Sequence, residues 1–187
     1  LDGPMVRMLE AEAMTPQQLS NTGESPGDIT LTSFVVRRGA RDAGGYGYAI
    51  TRGYYDMDGN PASLDAVETG TRLVVVLTVN PFDGGEARLM INDPLPAGLE
   101  IDNPNLLQSG DIRALDWLDI AYPQHTEFRS DRFLAAVDWR NDASFDLAYI
   151  VRAVSPGSYH HPAASVEDMY RPQYRAITAT SRMRVTE

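Results

Sequence analysis

The segment Arg72-Leu-Val-Val-Val-Leu-Thr-Val79 constrains this chain more than any other. Five of its eight residues are β-branched, and turn-forming residues close it on both sides, Glu68-Thr69-Gly70 before and Asn80-Pro81 after. β-Branched side chains lose rotamer freedom in a helix and pack well on a pleated surface. An apolar run of this length with such borders reads as a strand covered on both faces, or nearly so. A chain that holds one such strand must supply layers of structure to cover it.

Period-two alternation recurs along the sequence. Residues 87–91 read as a second strand, and the intervening Phe82-Asp83-Gly84-Gly85 has the turn chemistry of an antiparallel hairpin. Phe133, Ala135, Val137 and Trp139 share one face of a strand, as do Tyr149, Val151 and Ala153. Residues 177–185 close the chain, with Arg182 and Arg184 opposite Met183 and Val185. Earlier strand candidates are 6–11, 29–36 and 48–55. Helical signals are confined to two places. Ile112, Leu115 and Leu118 recur every third residue behind Ser109 or Asp111 as an N-cap. Ser165 could cap a short turn that carries Glu167 and Asp168 near its N-terminus and stops at Pro172. The pattern predicts an all-β fold, an antiparallel β-sandwich of about seven strands with short helical turns.

The glycine-rich stretch 39–47 reads either as a linker or as a long hairpin loop within one sandwich. Residues 1–45 are accordingly either a remnant of a preceding domain or N-terminal strands of the same sandwich, and residues 46–187 form the main domain.

Composition removes whole classes of function. The 187 residues include no Cys and no Lys; all 16 basic residues are Arg, and the formal net charge is −10. A disulfide framework, a Cys-based zinc site, a Cys nucleophile and a Schiff-base lysine are therefore excluded within the chain. The negative balance argues against a nucleic-acid partner, which requires a basic stripe. No apolar run approaches the roughly 20 residues that span a bilayer. The chain opens on Leu-Asp-Gly-Pro, without Met or a basic-then-apolar leader, as a piece of a larger protein or a mature product does. The expected fragment is soluble.

The remaining motifs have plain structural readings. Asp56-Met-Asp58-Gly59-Asn60 resembles the start of a calcium loop, but the places that need Gly and a bidentate Glu hold Pro61 and Val67. A turn at Asp58-Gly59 is expected instead. Gly44-Gly45-Tyr46-Gly47 leads into a strand pattern rather than the helix a phosphate loop requires. His160 and His161 point to opposite faces of an extended segment, and His125 is distant in sequence, so no metal site is expected. No Gly-x-Ser-x-Gly elbow is present. No catalytic residue, cofactor or metal ligand is assigned, and the chain is not expected to be an enzyme. Tyr46, Tyr48, Tyr54 and Tyr55 could form a carbohydrate- or protein-binding platform, or a sandwich core with one exposed edge.

Three segments, taken in order, resemble a known family: Asn92-Asp-Pro-Leu-Pro-Ala-Gly98 continuing to Asn103-Pro104; Arg129-Ser-Asp-Arg-Phe133; and Tyr149-Ile-Val-Arg-Ala-Val-Ser-Pro-Gly157 continuing through His161-Pro-Ala163 to Glu167-Asp-Met-Tyr-Arg-Pro172. Together with Gly53-Tyr-Tyr-Asp-Met-Asp-Gly59 they resemble the C-terminal MG10 domain of bacterial α2-macroglobulin-like proteins, over residues 46–187. Residues 1–45 more loosely resemble the end of the neighbouring CUB-type domain. Pro94 and Pro96 would stiffen the chain leaving a strand, Gly98 would permit a turn with positive φ, and Asp131-Arg132 could pair with a neighbouring strand.

The resemblance implies a role. Such proteins are periplasmic protease inhibitors, usually lipid-anchored at the inner membrane, in which cleavage by a target protease triggers capture through a Cys–Gln thioester. The C-terminal domain of members that keep the thioester packs on the thioester domain of the same chain. It covers the bond with a loop similar to Met169-Tyr170-Arg171-Pro172. These four residues are the implied binding site: Met169 and Tyr170 would exclude water, and Arg171 would orient the loop. From the residues alone, Met169 and Tyr170 could equally fill one end of the sandwich.

Overall fold

The computed structural model describes residues 18, 20–30, 32, 39–82, 85–102, 118–140 and 142–187. The chain divides into two compact units, residues 1–36 and 37–187. The described part of the first is an exposed segment folded about Asn21, whose side chain accepts from Gly23 N at 2.9 Å and donates to Ser25 O at 2.7 Å. The second unit carries all of the strands found among the described residues. These are β1 (Gly44–Tyr46), β2 (Tyr48–Tyr55), β3 (Val67–Glu68), β4 (Arg72–Pro81), β5 (Ala87–Pro94), β6 (Leu99–Ile101), β7 (His125–Phe128), β8 (Arg132–Trp139), β9 (Phe145–Ala153), β10 (Gly157–His161), β11 (Ser165–Asp168), β12 (Arg175–Ile177) and β13 (Ser181–Thr186).

They form three sheets. A six-stranded sheet runs β1-β12-β11-β5-β8-β7, a four-stranded sheet β2-β4-β9-β6, and a three-stranded sheet β10-β13-β3. Every pairing is antiparallel except β13 with β3. The all-β antiparallel sandwich is therefore as the alternation indicates, with thirteen described strands where about seven were expected. Several are two to four residues long, too short to leave a period-two signature.

β4 lies between β2 and β9, and its two faces are both covered. Leu73, Val75, Leu77 and Val79 enter the main core, while Val74 and Val76 join Ile150 in a second cluster packed against Met57 and Leu118. This central position overturns the expected hairpin at residues 82–85. Both hydrogen-bonding edges of β4 are already taken, so β5 crosses to the opposite sheet and pairs with β11 and β8. The strands on either side of this connection thus belong to different sheets. The closing strand also differs from expectation: β12 and β13 belong to different sheets, and the chain changes layer at Thr178, whose N–H and hydroxyl bond Ala164 O and N at 2.9 Å. Arg182 and Arg184 do face away from Met183 and Val185, which are buried. Gly98 does not take a positive φ. Its value is proximity, because a Cβ there would lie 2.4 Å from the Tyr159 ring. Asp131 and Arg132 pair with each other at 2.8 Å in solvent, not across strands. The helix expected over 109–118 falls almost wholly outside the described residues, as do strand 6–11 and most of 29–36.

Among the buried polar groups, a set of hydrogen-bonded side chains draws on all three sheets. Arg52 on β2 is ion-paired with Asp93 on β5, and both side chains are buried. A second Arg52 nitrogen donates to Pro162 O at 2.7 Å, and the Tyr149 hydroxyl donates to the other Asp93 oxygen at 2.7 Å. Tyr54 meets His161 Nε2 at 2.8 Å, and His161 Nδ1 meets Ser181 Oγ at 3.1 Å. Burial pushes the Asp93 carboxyl up, while Arg52 and the Tyr149 hydroxyl pull it back. The stacked rings of Phe133 and Tyr149, 4.5 Å apart, pack the same layer.

Two stability predictions follow from this network. Asp93→Ala leaves Arg52 buried without its counter-ion and should cost about 3–5 kcal/mol in urea unfolding, whereas Arg52→Met combined with Asp93→Leu should recover most of that loss. The second concerns His161, whose pKa is pushed down to about 3 by burial, then by Arg52 and His160. The unfolded chain binds this proton near pH 6.5 and the folded chain does not, so stability is held above pH 6.5 and falls as the pH drops. The loss should approach about 1.4 kcal/mol per unit between pH 6 and 5, and His161→Gln should remove most of that slope. A slope unchanged by the substitution would assign it to other groups.

Candidate functional site

The site implied by the resemblance lies in the connection between β11 and β12. Along β11, Val166 and Asp168 share the inward face. Asp168 thus ends the strand with its carboxylate buried, 1% exposed. One carboxylate oxygen accepts from the Tyr170 and Arg171 N–H groups at 2.9 and 3.1 Å; the other accepts from Arg171 Nε at 2.7 Å. Burial raises the Asp168 pKa, but these bonds outweigh it and hold the carboxyl below its usual range. Met169 N donates to Arg88 O on β5 at 2.8 Å, and Arg171 O accepts from Tyr174 N at 2.8 Å. Pro172 occupies the second position of that four-residue turn, where its fixed φ is favourable.

The loop therefore sorts its four residues. Arg171 folds back, its guanidinium 4.8 Å from the Tyr174 ring centroid. Pro172 is exposed. Met169 and Tyr170 project outward, 53% and 74% exposed. They do not fill the sandwich end. Met169 lies at a depression bordered by Arg88, Gln124, Ala136 and Asp138, and Tyr170 at a second one beside Glu86, Trp139 and Arg140.

Three residues that position the loop carry weak sequence signals. Asp168 could have been found from alternation, since it follows Val166 by two. Tyr174 packs on Gly47, where an added Cβ would lie 2.1 Å from the ring and φ is +77°. Tyr48 lies buried nearby; burial first and the Asp168 charge second push its hydroxyl pKa up.

The tyrosine platform is not assembled. Tyr48 and Tyr54 are core residues, and Tyr46, 65% exposed, leans on Tyr174 with ring centroids 5.2 Å apart. No two of the four tyrosines offer adjacent free faces to a sugar. His160 is exposed and His161 buried, while His125 lies on β7 with Glu127 Oε1 3.5 Å away. Among the described residues no group of three or more His, Asp or Glu is placed to hold a metal ion. The Asp58-Gly59 turn is present: Asp56 Oδ1 accepts from Asp58 N and Asn60 N at 2.9 Å, and Gly59 has φ +87°.

Comparison with known proteins gives this geometry a context. The bacterial alpha-2-macroglobulin MG10 domain matches residues 47–173, from the start of β2 to just past the exposed loop. The chain belongs to the bacterial α2-macroglobulin family. The α2-macroglobulin of Escherichia coli K12 is 33% identical over 180 residues, which is 91% of this chain and 11% of that protein. Among solved structures, native E. coli α2-macroglobulin matches 81% of this chain and 10% of its own with a TM-score of 0.72 and 34% identity. Salmonella α2-macroglobulin reacted with methylamine (TM-score 0.68, 34% identity, 80% and 10%) and trypsin-activated E. coli α2-macroglobulin (0.69, 34%, 79% and 11%) match similarly. The chain spans about a tenth of the length of these relatives. Arg52, Asp93, Tyr149 and the whole 168–172 stretch fall inside the family match.

In an α2-macroglobulin domain that keeps Tyr170 for its own fold, truncating it would be costly. Here Tyr170→Ala should change the unfolding free energy measured in urea by less than about 0.5 kcal/mol, because the ring buries little. A loss above 1.5 kcal/mol would place the ring in the fold's own packing.

Proposed function

We propose that this chain is the non-enzymatic MG10 module, residues 46–187, of a protease-trapping α2-macroglobulin-like inhibitor. It docks on the thioester domain of the same parent chain through Met169, Tyr170, Arg171 and Pro172. Residues 1–45 connect it to a preceding CUB-type domain or complete its own sandwich. The observation that carries the reading is the loop: two large side chains are left in solvent by a backbone that is itself tightly bonded. Solvent-exposed apolar groups on a fixed frame favour a protein partner.

The chemistry fits a cover. A thioester is lost when an amine or water attacks its carbonyl carbon, the C–S bond breaks and the thiolate leaves. Excluding nucleophiles with an aromatic ring and a thioether slows that attack without any reacting group in the cover. With no Cys here, the electrophile must lie in another domain. The trypsin-activated E. coli protein supports a protease trigger, and the methylamine-reacted Salmonella protein supports an amine-sensitive centre in the parent. Target proteases would meet the full-length protein, in the periplasm, with the parent held at the inner membrane by a lipid anchor.

The test uses the full-length parent. Tyr170→Ala should speed methylamine-dependent thiol release on the order of tenfold, which corresponds to about 1.4 kcal/mol in the barrier. Equal rates in variant and parent, with the fold intact, would overturn the shielding role. A Cys-x-Glu-Gln motif upstream in the parent gene is the corresponding sequence check.

A further inference from the structure

Asp168 is not among the side chains that would touch the partner. It is 1% exposed and faces inward, yet three of the bonds that fix the loop end on its carboxylate. Its carboxylate holds the amides of Tyr170 and Arg171 and the Arg171 side chain. Arg171 in turn lies over Tyr174, and Tyr174 packs against Gly47 so closely that no side chain fits there. On the other side, Met169 N bonds Arg88 O. Met169 and Tyr170 are thus spanned by fixed points on β5, β11 and the β1–β2 connection.

We infer that Asp168 is the positioning residue of the site: through Arg171 and the Tyr174–Gly47 contact it holds Met169 and Tyr170 outward in one conformation. The functional consequence rests on the shielding reading; the positioning itself rests on the geometry alone. Without the carboxylate, the Tyr170 amide loses its acceptor, the Arg171 amide keeps only the Asp168 carbonyl at 3.2 Å, and the Arg171 side chain loses its counter-ion. The loop is then free to turn its amides to water, and the two side chains lose a defined direction. Asn at this position is nearly isosteric, so the fold should survive. It keeps one oxygen for the amides but removes the charge that Arg171 Nε donates to, and its own NH2 competes as a donor at that place.

Two measurements test this. In the 187-residue chain, Asp168→Asn should accelerate hydrogen exchange of the Tyr170 amide by about tenfold or more, while Val74→Ala, in the separate apolar cluster with Val76 and Ile150, should leave that amide unchanged. In the full-length parent, Asp168→Asn should speed methylamine-dependent thiol release, and Asp168→Asn combined with Tyr170→Ala should be no faster than Tyr170→Ala alone. Unchanged loop exchange, or a double variant faster by the product of the two single effects, would overturn the inference. Freed loop amides together with a Tyr170→Ala variant that reacts at the parental rate would instead sustain the positioning role and sink the shielding one.

Discussion

The ion pair between Arg52 and Asp93 ties the two principal sheets together through a largely apolar core. Taking both charges out of water is costly, and such a pair adds little net stability compared with well-packed apolar residues. What it does impose is register. Asp93 can meet Arg52 and Tyr149 at once only when β5 lies at one height against β2 and β9. Both carboxylate oxygens are used, and Arg52 spends a second nitrogen on Pro162 O, so the network is closed rather than partly satisfied. The consequence reaches the loop. β5 carries Asp93 near one end and Arg88 near the other, and Arg88 O receives the first N–H of the exposed connection. β11 is registered on the same strand, Val166 opposite Ile91. Fixing β5 in the sandwich therefore fixes the platform from which Met169 and Tyr170 project.

The loop spends hydrogen bonds to keep two apolar side chains wet. That is the reverse of what folding alone favours, since a flexible connection could lay Met169 and Tyr170 on the neighbouring sheet and gain burial. Asp168 prevents this locally by engaging the backbone on either side of the Tyr170 peptide. A rigid loop loses little conformational freedom when a partner covers it, so more of the contact energy is available for docking. The buried carboxylate and the exposed ring are thus two halves of one device: the first limits where the second can go.

Legibility in the sequence followed the range of the interaction concerned. Alternation located β8 and β9, and the apolar run located β4 with both faces buried, because side-chain direction along a strand is a local property. The partner of a strand is not local. Phe82-Asp-Gly-Gly85 carries hairpin chemistry, yet β4 has no free edge, and only the whole sheet reveals that. The same limit applies to Ser165-Val-Glu-Asp168. Its cap-like composition suggests a helical turn, but pairing with β5 and β12 on both sides makes it a strand, and this is what turns Asp168 inward. At the site, resemblance pointed to Met169 through Pro172, while their exposure and the folding-back of Arg171 became visible only with the fold. Arg52 gave no signal, for nothing in Thr51-Arg-Gly53 distinguishes a buried arginine from a solvated one.

On the proposed shielding role, the few side chains of the loop bear on how a cover could be both secure and releasable. An aromatic side chain buries roughly 150–250 Å². Tyr170 is 74% exposed, so at about 25 cal/mol per Å² its ring would contribute on the order of 3–5 kcal/mol before the costs of docking are met. Between separate proteins that would barely hold. Between domains of one chain the effective concentration is high, and the same contact can remain closed for most of the time. One ring and one thioether would add only a few kcal/mol to the work of pulling the domains apart. A protein that must shield a reactive bond and then uncover it is served by a contact of this size on a frame this rigid. Enlarging the apolar patch would improve the seal and slow the release. Loosening Asp168 would do the opposite, by letting the ring leave while the domains stay in place.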